Sequence, residues 1–337
     1  MRLLIITQKV DAQDSVLGFF TGWMEEFARQ AEKVTVIGQS AQDQSLPEGI
    51  DVYSLGKEKK LKIYRQVLRF WRLILVLSSS YDVVLVHMTP IWVVLGSPIW
   101  YLLRKKMYLW YEARGARWPL AFALRRVEKV FSASSYGMPI ATPKSVIVGH
   151  GIDTDVFIPA EEERDEKLLI TVGRISRTKR LQVVVDCAVR LGEGYRLVIG
   201  GSTLTEEDEE ILRVLQRQMQ EGHISDRILM GFQSRSQIIG LYQTAGIFLH
   251  ASTSGLDKTV LEAMACGCLI ASSSPAVEGI LPPECRCTDE NMAETAKTLL
   301  HLSPAKKKAL RAALRTIVEE GHSLPHLVSR LLQEMGS

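Results

Sequence analysis

The sequence predicts an α/β protein of two doubly wound parallel domains facing each other across a cleft. Three observations carry this expectation. At 337 residues the chain is about two domain lengths, at roughly 150 residues each. Short apolar, β-rich runs alternate with stretches of helical period, the pattern of buried parallel strands joined by right-handed crossovers. The alternation also comes in two consecutive series, with a polar, charged, Pro-containing break near Phe157–Lys167. The expected division is therefore 1–158, 159–320 and a closing amphipathic helix within 321–337.

In order, the first series of strands is Leu3–Ile6, Val34–Gly38, Val52–Leu55, Val83–His87, Met107–Glu112, Val130–Ala133 and Val146–Val148. The second is Leu168–Gly173, Arg196–Gly200, Ile228–Gly231, Ile247–His250 and Leu269–Ser272. Gly22–Gln30, Leu181–Leu191 and Glu206–Gln220 read as helices between them. In such domains ligands bind beyond the carboxyl ends of the strands, so residues just after strands are the candidates for chemistry.

Composition narrows the class. A hydrophobic fraction of 46% with 23% charged residues is ordinary for a globular protein in water. Five Cys in so long a chain make no disulfide framework, and the short apolar start lacks the length of a signal peptide, so a cytoplasmic, reducing location is expected. Residues 1–158 hold 20 Lys and Arg against 14 Asp and Glu, so the first half is basic and the second acidic. No helix-turn-helix, zinc-finger or RNP-like pattern accompanies that excess, which argues against a nucleic-acid partner. Met88–Leu103 is apolar but interrupted by Pro90, Gly96 and Pro98, and is too short to span a bilayer. Trp92, Trp100, Trp110 and Trp118 are read as aromatic surface in the same half.

Two segments carry chemistry. In Leu249–Ile270, LHASTSGLDKTVLEAMACGCLI, a strand ends near His250, a turn follows through Ser254 and Gly255, and a helix runs from about Asp257 to a Gly267 stop. A helix N-terminus after a strand offers free N–H groups and a dipole that favour phosphate. Glu262, in the first turns, could accept both hydroxyls of a ribose; it reads equally as a surface Glu on an amphipathic helix. In Thr171–Arg180, TVGRISRTKR, Arg174 and Lys179 follow a strand end. They could clamp a diphosphate and stabilise its departing charge, or simply form a solvated basic loop.

Together these segments resemble retaining, GT-B-fold glycosyltransferases of family 4, the glycosyl transferases group 1. GRISRTK is similar to the family's GR-hydrophobic-x-x-x-K element, and SGLDKTVLEAMACG to its E-G-x(n)-L-E-A-M-A-x-G element. VGHGIDTDVFIP and MGFQSRSQIIGLYQTAGIFLHAS match two further runs, in the family's order, across residues 145–275. The resemblance implies a GT-B architecture of two Rossmann-like domains. It implies a hexosyltransferase-type enzyme that moves a sugar with retention from a UDP- or GDP-sugar, without cofactor or metal, to an acceptor that is lipid-linked or part of a cell-envelope glycan. Arg174 and Lys179 would hold the diphosphate and Glu262 the ribose. Gly231 and Phe232 would lie near the base, and His87 near the reacting sugar. Ser254, Gly255, Asp257, Lys258, Leu261 and Gly18 would complete the donor site. Ser254 stands where many members carry a Glu that touches the donor sugar, and the first strand–helix loop, Lys9–Phe20, has only Gly18 where the family often has Gly-Gly. The alternative is therefore a nucleotide-sugar-binding relative without transferase activity.

Two patterns are set aside. Asp153-Thr-Asp155 spells D-x-D but sits in the run leading out of the first domain, and Cys266-x-Cys268 and Cys285-x-Cys287 lack zinc spacing, so they are read as buried thiols. Finally, Lys57–Leu77 is basic and amphipathic. Leu61, Tyr64, Leu68, Trp71 and Leu75 share one face, beside Lys62, Arg65, Arg69 and Arg72. The stripe fits either a domain helix with that face in the core, or one lying on an anionic membrane surface, which would make the protein peripheral on the inner face of a membrane.

Overall fold

The computed structural model describes residues 1–14, 17–42, 49–115 and 118–336. Ser15 and Val16, in the loop after the first strand, lie outside the described residues. The chain divides into two compact units, Met1–Gly151 with the closing helix, and Ile152–Ser323.

The first unit contains β1 (Arg2–Val10), α1 (Phe19–Gln30), β2 (Lys33–Ala41), β3 (Asp51–Ser54), α2 (Ile63–Val76), β4 (Val83–His87), α3 (Pro90–Leu102), β5 (Lys106–Trp110), α4 (Trp118–Arg126), β6 (Lys129–Ser132) and β7 (Ser145–Ile147). Its seven strands are all parallel, in the order β3-β2-β1-β4-β5-β6-β7. Helices cover both faces of such a sheet, so its central strands read as unbroken apolar runs: Leu3, Leu4, Ile5 and Ile6 are all wholly buried.

The second unit runs β8 (Asp165–Val172), α5 (Leu181–Leu191), β9 (Arg196–Gly200), α6 (Glu206–Glu221), β10 (Ile228–Gly231), α7 (Arg235–Thr244), β11 (Ala245–His250), α8 (Lys258–Ala265), β12 (Leu269–Ser272), α9 (Met292–Leu300) and α10 (Pro304–Gly321). Its parallel strands are ordered β10-β9-β8-β11-β12. The closing helix, α11 (Leu324–Gly336), belongs to the first unit. It buries Leu327, Val328 and Leu331, its Met335 carbonyl accepts from Tyr108 Oη at 3.0 Å, and Glu334 pairs with Lys129 at 2.9 Å.

The units divide at Gly151/Ile152, ahead of the polar run that the sequence marks as the break. The reason lies in contacts distant in sequence. Ile152 N–H donates to the His322 carbonyl at 2.7 Å, and Arg315 donates to the carbonyls of Thr154 and Phe157. The charged run is itself tied down: Arg164 donates to the carbonyls of Tyr242, Ala245 and Cys266, and Glu166 pairs with Lys307 and Arg311.

Helix α2 corrects the reading that puts its Tyr64/Leu68/Trp71/Leu75 stripe in the core. Those four are exposed, and the buried face is Gln66, Phe70 and Ile74. The core selects that face because Phe70 sits against Trp92 and Trp100, at ring distances of 4.7 and 5.8 Å, while Gln66 is satisfied by the Leu61 carbonyl at 2.8 Å. Trp92, Trp100 and Trp110 are likewise interior rather than surface aromatics, whereas Trp118 is exposed. Met88–Leu103 folds as the short α3, and among the described residues no helix is long and apolar enough to cross a membrane.

Candidate functional site

In each sheet the winding reverses beside the first strand, between β1 and β4 in one unit and between β8 and β11 in the other. At such a reversal the loops leaving two neighbouring strands run in opposite directions and leave a crevice at the strand C-termini. In the second unit these loops are Gly173–Arg180 and Ala251–Asp257, the two segments that the motifs single out.

Backbone geometry holds the first loop. Gly173 N–H donates to the Gly200 carbonyl at 2.9 Å, and Ile175 N–H to Ser202 at 3.0 Å. Gly201 passes so close that a Cβ there would stand 1.9 Å from the Gly173 carbonyl oxygen, so the crossing requires glycine. Arg174 then reaches α6, where its Nε donates to Asp208 Oδ2 at 2.7 Å. Asp208 also closes the capping box of α6 with Thr205, and the bond from Arg174 draws its carboxyl below the usual range. Arg174 keeps 42% of its side chain exposed.

Lys179 is the node between the loops. Its Nζ lies 2.6 Å from Asp257 Oδ2, and Thr253 N–H donates to the Thr178 carbonyl at 2.9 Å. Asp257 also accepts from Ser254 Oγ at 2.9 Å and meets His250 Nε2 at 3.0 Å, while His250 Nδ1 meets Ser272 Oγ at 2.9 Å. Burial acts to raise the Asp257 carboxyl, but Lys179 and His250 outweigh it and hold it well below the ordinary carboxylate range. A carboxyl depressed on folding contributes stability that is complete above its unfolded value, about pH 4, and is lost as pH falls through the folded value. Thermal melting should therefore fall more steeply between about pH 5 and 3 in the wild type than in Asp257→Asn. Equal slopes would remove Asp257 as an ionised node.

Asp257 immediately precedes α8 and makes no side-chain capping bond to it, so the first-turn N–H groups are left to another acceptor. Lys258 opens the helix and Glu262 stands one turn in, spaced i, i+4, and both are half-buried. Burial, helped by Arg235 and opposed by Glu262, pushes the Lys258 ammonium down to about 7. Burial raises Glu262, against Lys258, the hydrogen bond from Tyr242 and Arg235. Tyr242 Oη donates to Glu262 Oε2 at 3.2 Å from a fully buried position on α7. Burial thus works against the charged form of both Lys258 and Glu262.

The structure brings Lys179, Ser254, Gly255, Asp257, Lys258 and Glu262 together on these loops and the first turns of α8, with Arg174 on the same strand end. Leu261 is wholly buried and anchors the helix that carries Glu262. Gly231 and Phe232 end β10, two strands from the reversal, with Phe232 exposed. His87 and Gly18 belong to the first unit, at the reversal of its own sheet. His87 is buried: Phe20 stacks on it at 3.9 Å, Trp23 and Trp110 flank it, and Nδ1 lies 3.3 Å from Thr7 Oγ1. Gly18 precedes α1, where a Cβ would come within 2.5 Å of the Asp14 carbonyl.

Sequence reading missed His250, Tyr242 and Asp208. His250 stands seven residues before Asp257 and Tyr242 twenty before Glu262, separations that follow no local repeat. The capping pattern Thr205-x-x-Asp208 was the one signal available. Asp153 accepts from the N–H groups of Asp155 and Val156, shaping a turn. The five cysteines are free, and burial pushes the thiols of Cys266, Cys285 and Cys287 up to about 12 and that of Cys268 to about 11, away from nucleophilic character.

Residues 153–317 match the family model described as Glycosyl transferases group 1. The chain is 30% identical over 143 residues to the D-inositol 3-phosphate glycosyltransferase of Mycolicibacterium smegmatis, a stretch covering 38% of this chain and 32% of that protein. The match therefore spans about a third of that curated relative's length. Among solved structures, Anabaena Alr3699/HepE in complex with UDP superposes over 100% of both chains with a TM-score of 0.78 at 13% identity. Sucrose-phosphate synthase from Thermosynechococcus elongatus covers 99% of this chain and 98% of its own, with a TM-score of 0.80 at 14% identity. The fold is GT-B-like, α/β with two parallel sheets.

Proposed function

Since the chain belongs, through residues 153–317, to the glycosyl transferases group 1, we propose that it is a hexosyltransferase-type enzyme that moves a sugar from a nucleotide-sugar donor to an acceptor with retention of configuration. The observation that carries this reading is the convergence of Lys179, Arg174, the open first turn of α8 and Glu262 at the reversal of the second sheet. In this reading the helix end and Lys179 take the diphosphate, and Arg174 supplies a second cation as the leaving group gathers charge. Glu262, steered by Tyr242, accepts the ribose hydroxyls, and Gly231 and Phe232 border the base.

Ser254, Gly255, Asp257 and Lys258 line the sugar side of that helix end. With Ser254 where a Glu is common, the carboxylate nearest it is Asp257, already bonded to Ser254 Oγ. From the family resemblance, His87 is assigned to the reacting-sugar side and Gly18 to the donor phosphates. The leaving phosphate serves as proton acceptor, so no protein nucleophile is required. No cofactor or metal enters this scheme. A uridine donor is preferred to a guanosine one because a structural neighbour holds UDP and, in a further structure, UDP-glucose.

Nucleotide-dependent thermal shifts test this. UDP at about 100 times its dissociation constant should stabilise the fold by about 2.7 kcal/mol, and Glu262→Ala should abolish that shift while folding normally. Donor turnover then separates a transferase from a nucleotide-sugar-binding relative. Failure of UDP, GDP and their sugar conjugates to shift the wild type would overturn the donor site; binding without turnover, once lipid-linked and glycan acceptors are supplied, would favour the binding protein.

A further inference from the structure

The outward face of α2 combines two features that rarely share a water-facing helix. Tyr64, Leu68, Leu75 and Val76 are 50–69% exposed, and Lys62, Arg65, Arg69 and Arg72 stand exposed among them. From Lys59 to Tyr81 the chain has no Asp or Glu, so local charge of opposite sign is absent from the helix itself. A water-facing helix ordinarily turns polar residues outward and apolar ones inward. Here the inner face is already occupied by Gln66, Phe70 and Ile74, and the outer apolar stripe is additional to it.

The patch extends to the end of α3. Tyr81 Oη donates to the Ile74 carbonyl at 2.8 Å and accepts from Trp100 Nε1 at 3.1 Å, and Lys105 Nζ donates to the Tyr81 carbonyl. These bonds fasten the C-terminal ends of α2 and α3 together. Tyr101 and Leu102, 75% and 81% exposed, stand at that end with the exposed Arg104 close behind. The surface is also preformed. Phe70 is locked between Trp92 and Trp100, and Trp71 Nε1 donates to the Leu95 carbonyl at 2.9 Å, so binding need not order the helix.

Charge decides the occupant. A symmetric second copy would set Arg65, Arg69 and Arg72 against the same cations, a like-charge juxtaposition that opposes association. An anionic bilayer answers both features: its phosphates take the guanidinium and ammonium groups, and its acyl boundary takes Tyr64, Leu68, Leu75 and Leu102. We propose that α2, with the end of α3, docks the first unit peripherally on an anionic lipid bilayer. The proposal stands apart from the transferase reading, because it is measured without donor or acceptor.

The test is co-sedimentation of the full chain with vesicles of phosphatidylcholine alone or mixed with phosphatidylglycerol, at low and high salt. Binding is expected to the mixed vesicles only, weakening as salt rises. Arg65→Glu, Arg69→Glu and Arg72→Glu together should weaken it roughly 100-fold or more. Leu68→Gln with Leu75→Gln should weaken it about tenfold or more. Every substituted side chain is exposed, so both variants should melt as the wild type does. Lys306→Glu with Lys308→Glu, exposed cations on α10, should leave binding unchanged. The proposal is overturned if mixed vesicles are not bound at low salt, or if binding survives both α2 variants. It is also overturned if the chain is a dimer that Leu68→Gln with Leu75→Gln dissociates and no vesicle binds.

Discussion

Lys179→Ala should lower turnover of the donor roughly 100- to 1,000-fold, the loss typical when one group stabilising developing negative charge is removed. The same change should soften the second unit, because Asp257 keeps only His250 and Ser254 once the 2.6 Å partner is gone. Stranding one member of a fully buried ion pair costs about 3–5 kcal/mol. Here the side chains are 19% and 11% exposed, so solvent reduces the cost to about 2 kcal/mol. The double variant Lys179→Ala with Asp257→Asn distinguishes chemistry from structure. It should recover part of the melting temperature, since no carboxylate is then left without its cation, while turnover stays low. Wild-type turnover in Lys179→Ala would take Lys179 out of the reaction, whatever its melting temperature.

Gly201→Ala should be the most damaging single methyl in the second unit. Its Cβ would stand 1.9 Å from the Gly173 carbonyl oxygen, which is backbone and cannot swing aside. Relief requires the ends of β8 and β9 to separate, straining the bonds Gly173 N–H to Gly200 and Gly201 N–H to Gly231. Overpacking of this kind costs about 3 kcal/mol, and at about 2–4 °C per kcal/mol for a domain of this size the melting temperature should drop by roughly 6–12 °C. The strand end that presents Arg174 moves with it, so donor binding should weaken in step. Gly231→Ala is the control: a Cβ there meets nothing within 4 Å and should cost little. Similar melting for the two variants would show that the crossing at Gly201 relaxes freely.

Much of this architecture was legible because parallel strands buried on both faces must be unbroken apolar runs. Val83–His87, Arg196–Gly200, Ile228–Gly231 and Leu269–Ser272 form over the expected residues. The loop before α8 was legible for a related reason: a helix is bounded by residues close by in the chain, and Asp257 directly before α8 and Gly267 just after it mark its limits, although Asp257 turns its carboxylate to Lys179 and His250 rather than capping the helix. Which side of α2 faces the core was not legible. Phe70 and the Tyr64/Leu68/Trp71/Leu75 stripe are both apolar at helical spacing, and the choice falls to Trp92 and Trp100, which arrive from α3.

The sequence by itself determined two series of parallel strands and the strand–loop–helix form around Asp257, because each follows from period or spacing within a few residues, and it placed Arg174, Lys179 and Glu262 in the segments just beyond strand ends. Tertiary structure alone decided that Asp257 joins Lys179, His250 and Ser254, that Tyr242 steers Glu262, and that Phe20 covers His87. Those partners lie on different strands and helices, and hydrogen bonds and ring contacts between them depend on how the sheet sets its loops in space, which no local pattern encodes.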